Sequence, residues 1–185
     1  MSHLSELAQL ALDTRESCSD DIDKAAKLIA DAFNNGHKLL VCGNGGSAAD
    51  AQHFSAEYVG RYQRERRPLP AISLATDTSA LTAIGNDFGY ETVFSRQVEA
   101  LGNYCDVLVI ISTGGMSPNL IAAAITARNL GITCIALTGS VAHDELKTAD
   151  LWIAVPSTHT AHVQEVEMAL LHMICEGVEK LLEEA

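Results

Sequence analysis

The sequence predicts a three-layer α/β/α sandwich around a five-stranded parallel sheet, flavodoxin-like in its strand order. Three observations lead there. Five short runs are rich in Val, Ile and Leu and mostly end in Gly, Ser or Thr. They are apolar throughout rather than alternating, as strands buried on both faces must be. Longer segments with helical spacing separate them, and strand–helix–strand order with buried strands implies parallel pairing through right-handed crossovers.

The elements follow in order. Two helices open the chain, about Leu4–Glu16 and Asp20–Asn34, before a first strand, His37–Cys42 (HKLLVC). A helix over Ser47–Tyr62 leads to a second strand, Pro70–Ala75 (PAISLA), and the loop Gly85-Asn86-Asp87-Phe88-Gly89 leads to a helix over Tyr90–Leu101. Strand Asp106–Ile111 (DVLVII), helix Ser117–Asn129 and strands Ile132–Leu137 (ITCIAL) and Leu151–Val155 (LWIAV) come next, and a long helix, about Thr160–Glu184, closes the chain.

The 185 residues suit one domain at roughly 150 residues each. The reading is a single domain over 1–185, with about 1–34 as helices used in oligomer packing and 35–185 as the α/β core. With 12 basic and 24 acidic side chains the formal charge is 12 − 24 = −12, which argues against a nucleic-acid partner, since such binders replace phosphate counterions with a basic surface. The opening stretch MSHLSELAQLALDTRES is amphipathic and lacks the basic and apolar regions of an export signal. No run approaches the roughly 18 apolar residues of a membrane span, so no membrane partner is expected. The five cysteines (Cys18, Cys42, Cys105, Cys134, Cys175) include no CxxC pair. They read as reduced, buried thiols, and the location as cytoplasmic. The basic cluster Arg61–Arg67 (RYQRERR) reads as a solvated loop rather than a phosphate contact.

Ligands of such sheets bind beyond the carboxyl ends of the strands. Gly43-Asn44-Gly45-Gly46-Ser47 follows the first strand. Its glycines allow close approach to a ligand, and Ser47 is placed to cap the next helix, whose dipole favours an anion. The string is neither GxGxxG nor GxxxxGK[ST], so dinucleotide and P-loop readings fail. Ser112-Thr113-Gly114-Gly115-Met116-Ser117 sets hydroxyls and glycines at another helix start, a phosphate cradle that needs no Lys or Arg. Asn86 and Asp87 offer groups for sugar hydroxyls. His53 and Glu57, spaced i, i+4, project from one helix face. On the closing helix Glu165 lies two turns before His172 on the same face, whereas Gln164 is about 80° off that line. Spacing alone pairs Glu165 with His172.

Together these segments resemble the sugar isomerase (SIS) domain, in its phosphoheptose isomerase branch. The strings are CGNGGSAADAQHFSAEYVGRY (Cys42–Tyr62), TDTSALTAIGNDFGYETVFSRQVEALG (Thr76–Gly102), the serine loop Ser112–Asn119, LTG (Leu137–Gly139) and VPS…VQE…H (Val155–His172). The resemblance implies an aldose–ketose isomerase converting D-sedoheptulose 7-phosphate to D-glycero-D-manno-heptose 7-phosphate through an enediol, the first step toward activated heptose. It also implies a homotetramer with sites between subunits. One zinc per subunit would be held by His53, Glu57, Gln164 and His172, which selects Gln164 over the Glu165 of the helix geometry. Substrate contacts would come from Asn44, Gly45, Gly46, Ser47, Asn86, Asp87, Ser112, Thr113, Gly114, Ser117 and Gln164. Glu57 would move the carbon-bound proton, and His172 would serve the oxygens and ring opening.

The chain departs from that pattern twice. Gly114 replaces a serine of the usual STSGxS loop, and Glu167 stands where QExH would place a histidine. Two other readings compete: a non-catalytic SIS protein regulating replication initiation through protein contacts, and a sugar-phosphate sensor. The first tends to lose the helix-borne glutamate. The second usually carries a DNA-binding domain, for which about 20 residues before the resemblance are too few.

Overall fold

The computed structural model describes residues 2–183. The chain runs α1 (His3–Asn34), β1 (Leu39–Gly43), α2 (Gly46–Val59), β2 (Ala71–Ser73), α3 (Thr78–Phe88), a 3₁₀ turn (Tyr90–Thr92) and α4 (Ser95–Leu101). It continues with β3 (Val107–Ser112), α5 (Pro118–Leu130), β4 (Thr133–Thr138), α6 (Asp144–Lys147), β5 (Leu151–Ala154) and α7 (Thr160–Glu183). All strand pairs are parallel, in the order β2-β1-β3-β4-β5. That is the flavodoxin-like sandwich that the apolar runs predict, with strand ends displaced by one or two residues.

Alternation along the strands splits the core into two. Leu39, Val41, Val107, Val109, Ile111, Ile135, Leu137 and Ile153 face α1, α2 and α7. Leu40, Cys42, Leu108, Ile110, Cys134 and Ala136 face α4, α5 and α6. The apolar stripes of α1 and α7 meet within the chain: a Cβ on Gly177 would run into Ala26.

Three expectations need correction. The N-terminal segment is one helix, not two, because a buried stripe (Leu10, Thr14, Cys18, Ile22, Ala25, Ile29) runs unbroken through the polar stretch at 15–21. The Ser17 hydroxyl there donates back to the Asp13 carbonyl at 3.0 Å and stays within the helix. Gly85–Phe88 is not a loop but the end of α3, an element absent from the sequence reading. Asp77 caps α3 by accepting from the Ala80 N–H at 2.9 Å, and Gly85 sits inside it beside Tyr90 and Val93. The helix expected over Tyr90–Leu101 is a 3₁₀ turn followed by the shorter α4, and α6 was not anticipated. Glu184 lies outside the described residues. Among the described residues no helix is long and apolar enough to cross a membrane.

Candidate active site and metal centre

From β1 the chain turns through α2 to β2, and from β3 through α5 to β4 on the other side. The carboxyl ends of β1 and β3 therefore flank the crevice where such sheets bind ligands. The two glycine loops leave from those ends. Asn44 and Asn119 tie them together: the Asn44 Nδ2 donates to Asn119 Oδ1 at 2.9 Å, and the Asn119 Nδ2 donates back to Asn44 Oδ1 at 2.8 Å. The Tyr90 hydroxyl adds a longer bond of 3.4 Å to Asn44 Oδ1. Asn119 is almost fully buried.

In the first loop Gly45 occupies the N-cap of α2 and the helix starts at Gly46. Ser47 therefore lies in the first turn, buried, rather than capping the helix as expected. A Cβ on Gly46 would collide with the amide of Gln164 and push it from its place beside the loop.

The serine loop is pinned on several sides. The Gly115 N–H donates to the Ser112 hydroxyl at 3.1 Å, the Gly139 N–H to the Thr113 carbonyl at 3.2 Å, and the His143 N–H to the Gly115 carbonyl at 2.8 Å. Ser117 is the N-cap of α5 with Pro118 next, and its hydroxyl makes no capping bond. The loop thus presents hydroxyls and free N–H groups at the positive end of a 13-residue helix, where an anion is favoured. Asn86 and Asp87 lie on the last turn of α3 and bond to each other at 2.7 Å. Asp87 lines a groove of about 540 Å³ between α3 and α4, shared with Ile84 and Arg96.

The titratable groups gather between α2 and α7. The His53 and His172 Nε2 atoms are 2.9 Å apart, and Glu57 Oε1 lies 3.2 Å from His53 Nε2. Tyr62 packs on the His172 ring at 5.5 Å and 30°. The three ligand atoms all lie within 4.8 Å of one another. Two imidazole nitrogens facing each other at 2.9 Å need one proton between them. A tetrahedral ion with bonds of about 2.0–2.1 Å sets its ligands about 3.3 Å apart, so a metal can replace that proton with small side-chain movements. The residues present fit a metal.

Gln164 stands elsewhere on α7. Eight residues before His172 it is about 12 Å back along the helix, where its Nε2 donates to Asp50 Oδ2 at 2.9 Å. Asp50, 7% exposed, has its carboxyl pushed up by burial, against which the Gln164 bond and His53 act. The spacing that pairs Glu165 with His172 fails. Glu165 accepts from or pairs with His3 at 2.9 Å instead, because α7 presents that residue to the start of α1.

Sequence reasoning misses Asn119, Asp50 and Arg66. The Arg66 Nη2 donates to the Glu57 carbonyl at 2.7 Å and its Nη1 to the Tyr58 carbonyl at 2.9 Å, while Nε lies 3.2 Å from Glu179. Glu179 also accepts the N–H groups of Tyr62, Gln63 and Arg64. The basic cluster is therefore in part a buried clamp on the end of α2, not simply a solvated loop.

Comparison with known proteins follows the same lines. The SIS domain family model matches residues 2–139. A phosphoheptose isomerase from Roseiflexus sp. is 51% identical over 169 residues, covering 91% of this chain and 86% of that protein. The structure of a phosphoheptose isomerase from Neisseria gonorrhoeae superposes with a TM-score of 0.91 at 42% identity, covering 96% of this chain and 95% of that one. One from Francisella tularensis gives a TM-score of 0.92 at 37% identity over the same shares. The chain belongs to the SIS-domain family, in its phosphoheptose isomerase branch, and is a sugar-phosphate isomerase.

Proposed function

We propose that this protein converts D-sedoheptulose 7-phosphate to D-glycero-D-manno-heptose 7-phosphate, the first step toward activated heptose. The observation that carries the reading is the Glu57 carboxylate, held against His53 on the same helix and near His172 from α7. Aldose–ketose isomerisation removes a proton beside a carbonyl and returns one to the neighbouring carbon, by way of an enediol. Glu57 takes and returns that proton. His172 passes protons between the oxygens and assists ring opening. The phosphate sits on Ser112, Thr113, Gly114 and Ser117 at the start of α5, and Asn44, Gly45, Gly46, Ser47, Asn86, Asp87 and Gln164 hold the sugar. Zinc would be held by His53, Glu57 and His172, with Gln164 of another subunit as a further ligand, and would supply a Lewis acid for the carbonyl.

That division of ligands needs at least two chains and accords with a homotetramer that has its sites between subunits. Exposed Leu12, Val59 and Met173 are apolar surface available to such contacts. The five cysteines are all free; burial pushes the thiols of Cys134 and Cys175 up to about 12. That suits a reducing cytoplasm.

The test is to incubate purified protein with sedoheptulose 7-phosphate in deuterated water and follow the aldose by NMR. The expected result is interconversion with one solvent deuteron entering at the carbon beside the carbonyl. No aldose and no exchange at any protein concentration overturns the substrate assignment. Light scattering of the same sample tests the tetramer, and a monomer at micromolar concentration overturns the shared site.

A further inference from the structure

We propose that His3, His162 and Glu165 form a second divalent-metal site, separate from the His53–Glu57–His172 cluster. It takes zinc or a similar borderline cation and fastens the first turn of α1 to the start of α7.

His162 and Glu165 stand i, i+3 on α7 and so share a face, while His3 comes from the other end of the chain. His3 Nε2 lies 2.9 Å from both Glu165 oxygens, and His3 Nδ1 lies 3.0 Å from His162 Nε2. One ligand atom from each residue falls within 4.8 Å of the other two. His159 adds a third imidazole, its ring 4.2 Å from that of His162 and its Nδ1 accepting the His162 N–H at 3.4 Å.

Two imidazole nitrogens and a carboxylate suit zinc and its neighbours. Magnesium and calcium prefer all-oxygen shells. The three groups also differ in exposure. His162 is 6% exposed and fixed by packing, whereas the His3 and Glu165 side chains are 48% and 42% exposed. His3 meets Glu165 through Nε2 and His162 through Nδ1, so an ion takes one His3 nitrogen, and rotation of the exposed His3 and Glu165 side chains brings in the third ligand atom, already within 4.8 Å. Gln164, next to Glu165, turns away toward Asp50, so the two clusters share no side chain.

The test uses metal-free protein without a His-tag, titrated with zinc chloride by calorimetry. The double variant His53→Ala/His172→Ala is expected to keep one zinc per chain. Adding His3→Ala and Glu165→Ala, both at exposed side chains that carry little folding risk, is expected to weaken that remaining zinc by at least about 100-fold, since loss of a supporting residue alone costs 10- to 100-fold. Zinc should also slow amide exchange in the first turns of α1 in the His53→Ala/His172→Ala protein, but not in the fourfold variant. No zinc on His53→Ala/His172→Ala, or zinc there that is indifferent to His3→Ala/Glu165→Ala, overturns the site. Wild-type protein binding a single zinc that is lost only with His3→Ala/Glu165→Ala would support this site and remove the metal from the other cluster.

Discussion

The side chains of Asn44 and Asn119 exchange two hydrogen bonds, of 2.9 and 2.8 Å, across the crevice between β1 and β3. Each amide gives one proton and takes one, so the pair is satisfied only when both residues carry an N–H₂ group and a carbonyl. Asn119→Asp removes one donor and leaves a carboxylate, 3% exposed at that position, beside a loop that reads as an anion cradle. A buried polar group left without its partner costs about 1–3 kcal/mol. The expected outcome is a KM for the sugar phosphate raised about 10- to 100-fold, with kcat changed far less. An unchanged KM would mean that the pair does not set the spacing of the two loops.

Glu57→Gln keeps the size of the side chain and loses its ability to accept a carbon-bound proton. General bases contribute about 10² to 10⁴ in rate, so turnover is expected to fall at least 10²-fold while substrate still binds. The variant should also lose solvent deuterium exchange into substrate. More than a tenth of wild-type turnover would remove Glu57 from this role.

Much of this architecture is legible in the sequence, and the exceptions have physical causes. Strands β1, β3 and β4 are apolar on both faces, a pattern that needs no tertiary context. Helix α3 escaped because Gly85 reads as a breaker, although packing beside Tyr90 and Val93 holds it helical. The polar residues between Glu16 and Asp20 suggest a break, but the buried stripe continues from Thr14 through Cys18 to Ile22. His53 and Glu57 are a local i, i+4 pair and therefore visible. Their meeting with His172 depends on how α2 packs against α7, which no local spacing encodes. The same holds for His3, whose partners lie 159 and 162 residues away.

Glu167 is wholly buried, with neither carboxylate oxygen hydrogen-bonded. Burial first, and the Asp50 carboxylate second, push its carboxyl from an ordinary 4.5 up to about 9. Between those values the folded chain holds a proton that the unfolded chain releases. Stability from this group is therefore present below about pH 4.5 and is lost as pH rises toward about 9. Glu167→Gln keeps the shape and removes the titration. The Tm of the wild type is expected to fall relative to Glu167→Gln as pH is raised across that window, and thermal melts at several pH values check it. Parallel Tm profiles would show that Glu167 is ionised in the folded state.

Adjacent glycines in the serine loop should respond oppositely to substitution. A Cβ on Gly114 meets nothing within 4 Å, and its backbone is not in the left-handed region, so Gly114→Ser is free of strain. It restores a hydroxyl to the loop at the head of α5, and one added hydrogen bond contributes about 0.5–1.5 kcal/mol. The expected result is an unchanged Tm and a KM lowered about 2- to 10-fold. Gly115 has φ +61°, and its Cβ would lie 2.5 Å from the Val141 carbonyl oxygen and 2.6 Å from Ala142 Cα. Both neighbours are backbone and have little room to move. Gly115→Ala must bear the left-handed strain as well as the collision, about 1–3 kcal/mol for the conformation alone. It should lower Tm by several degrees and loosen the bonds from Gly115 to Ser112 and His143. If Gly114→Ser instead raised KM, the space beside Gly114 would be occupied by substrate itself, and the missing hydroxyl would be a fit to a larger or differently placed ligand.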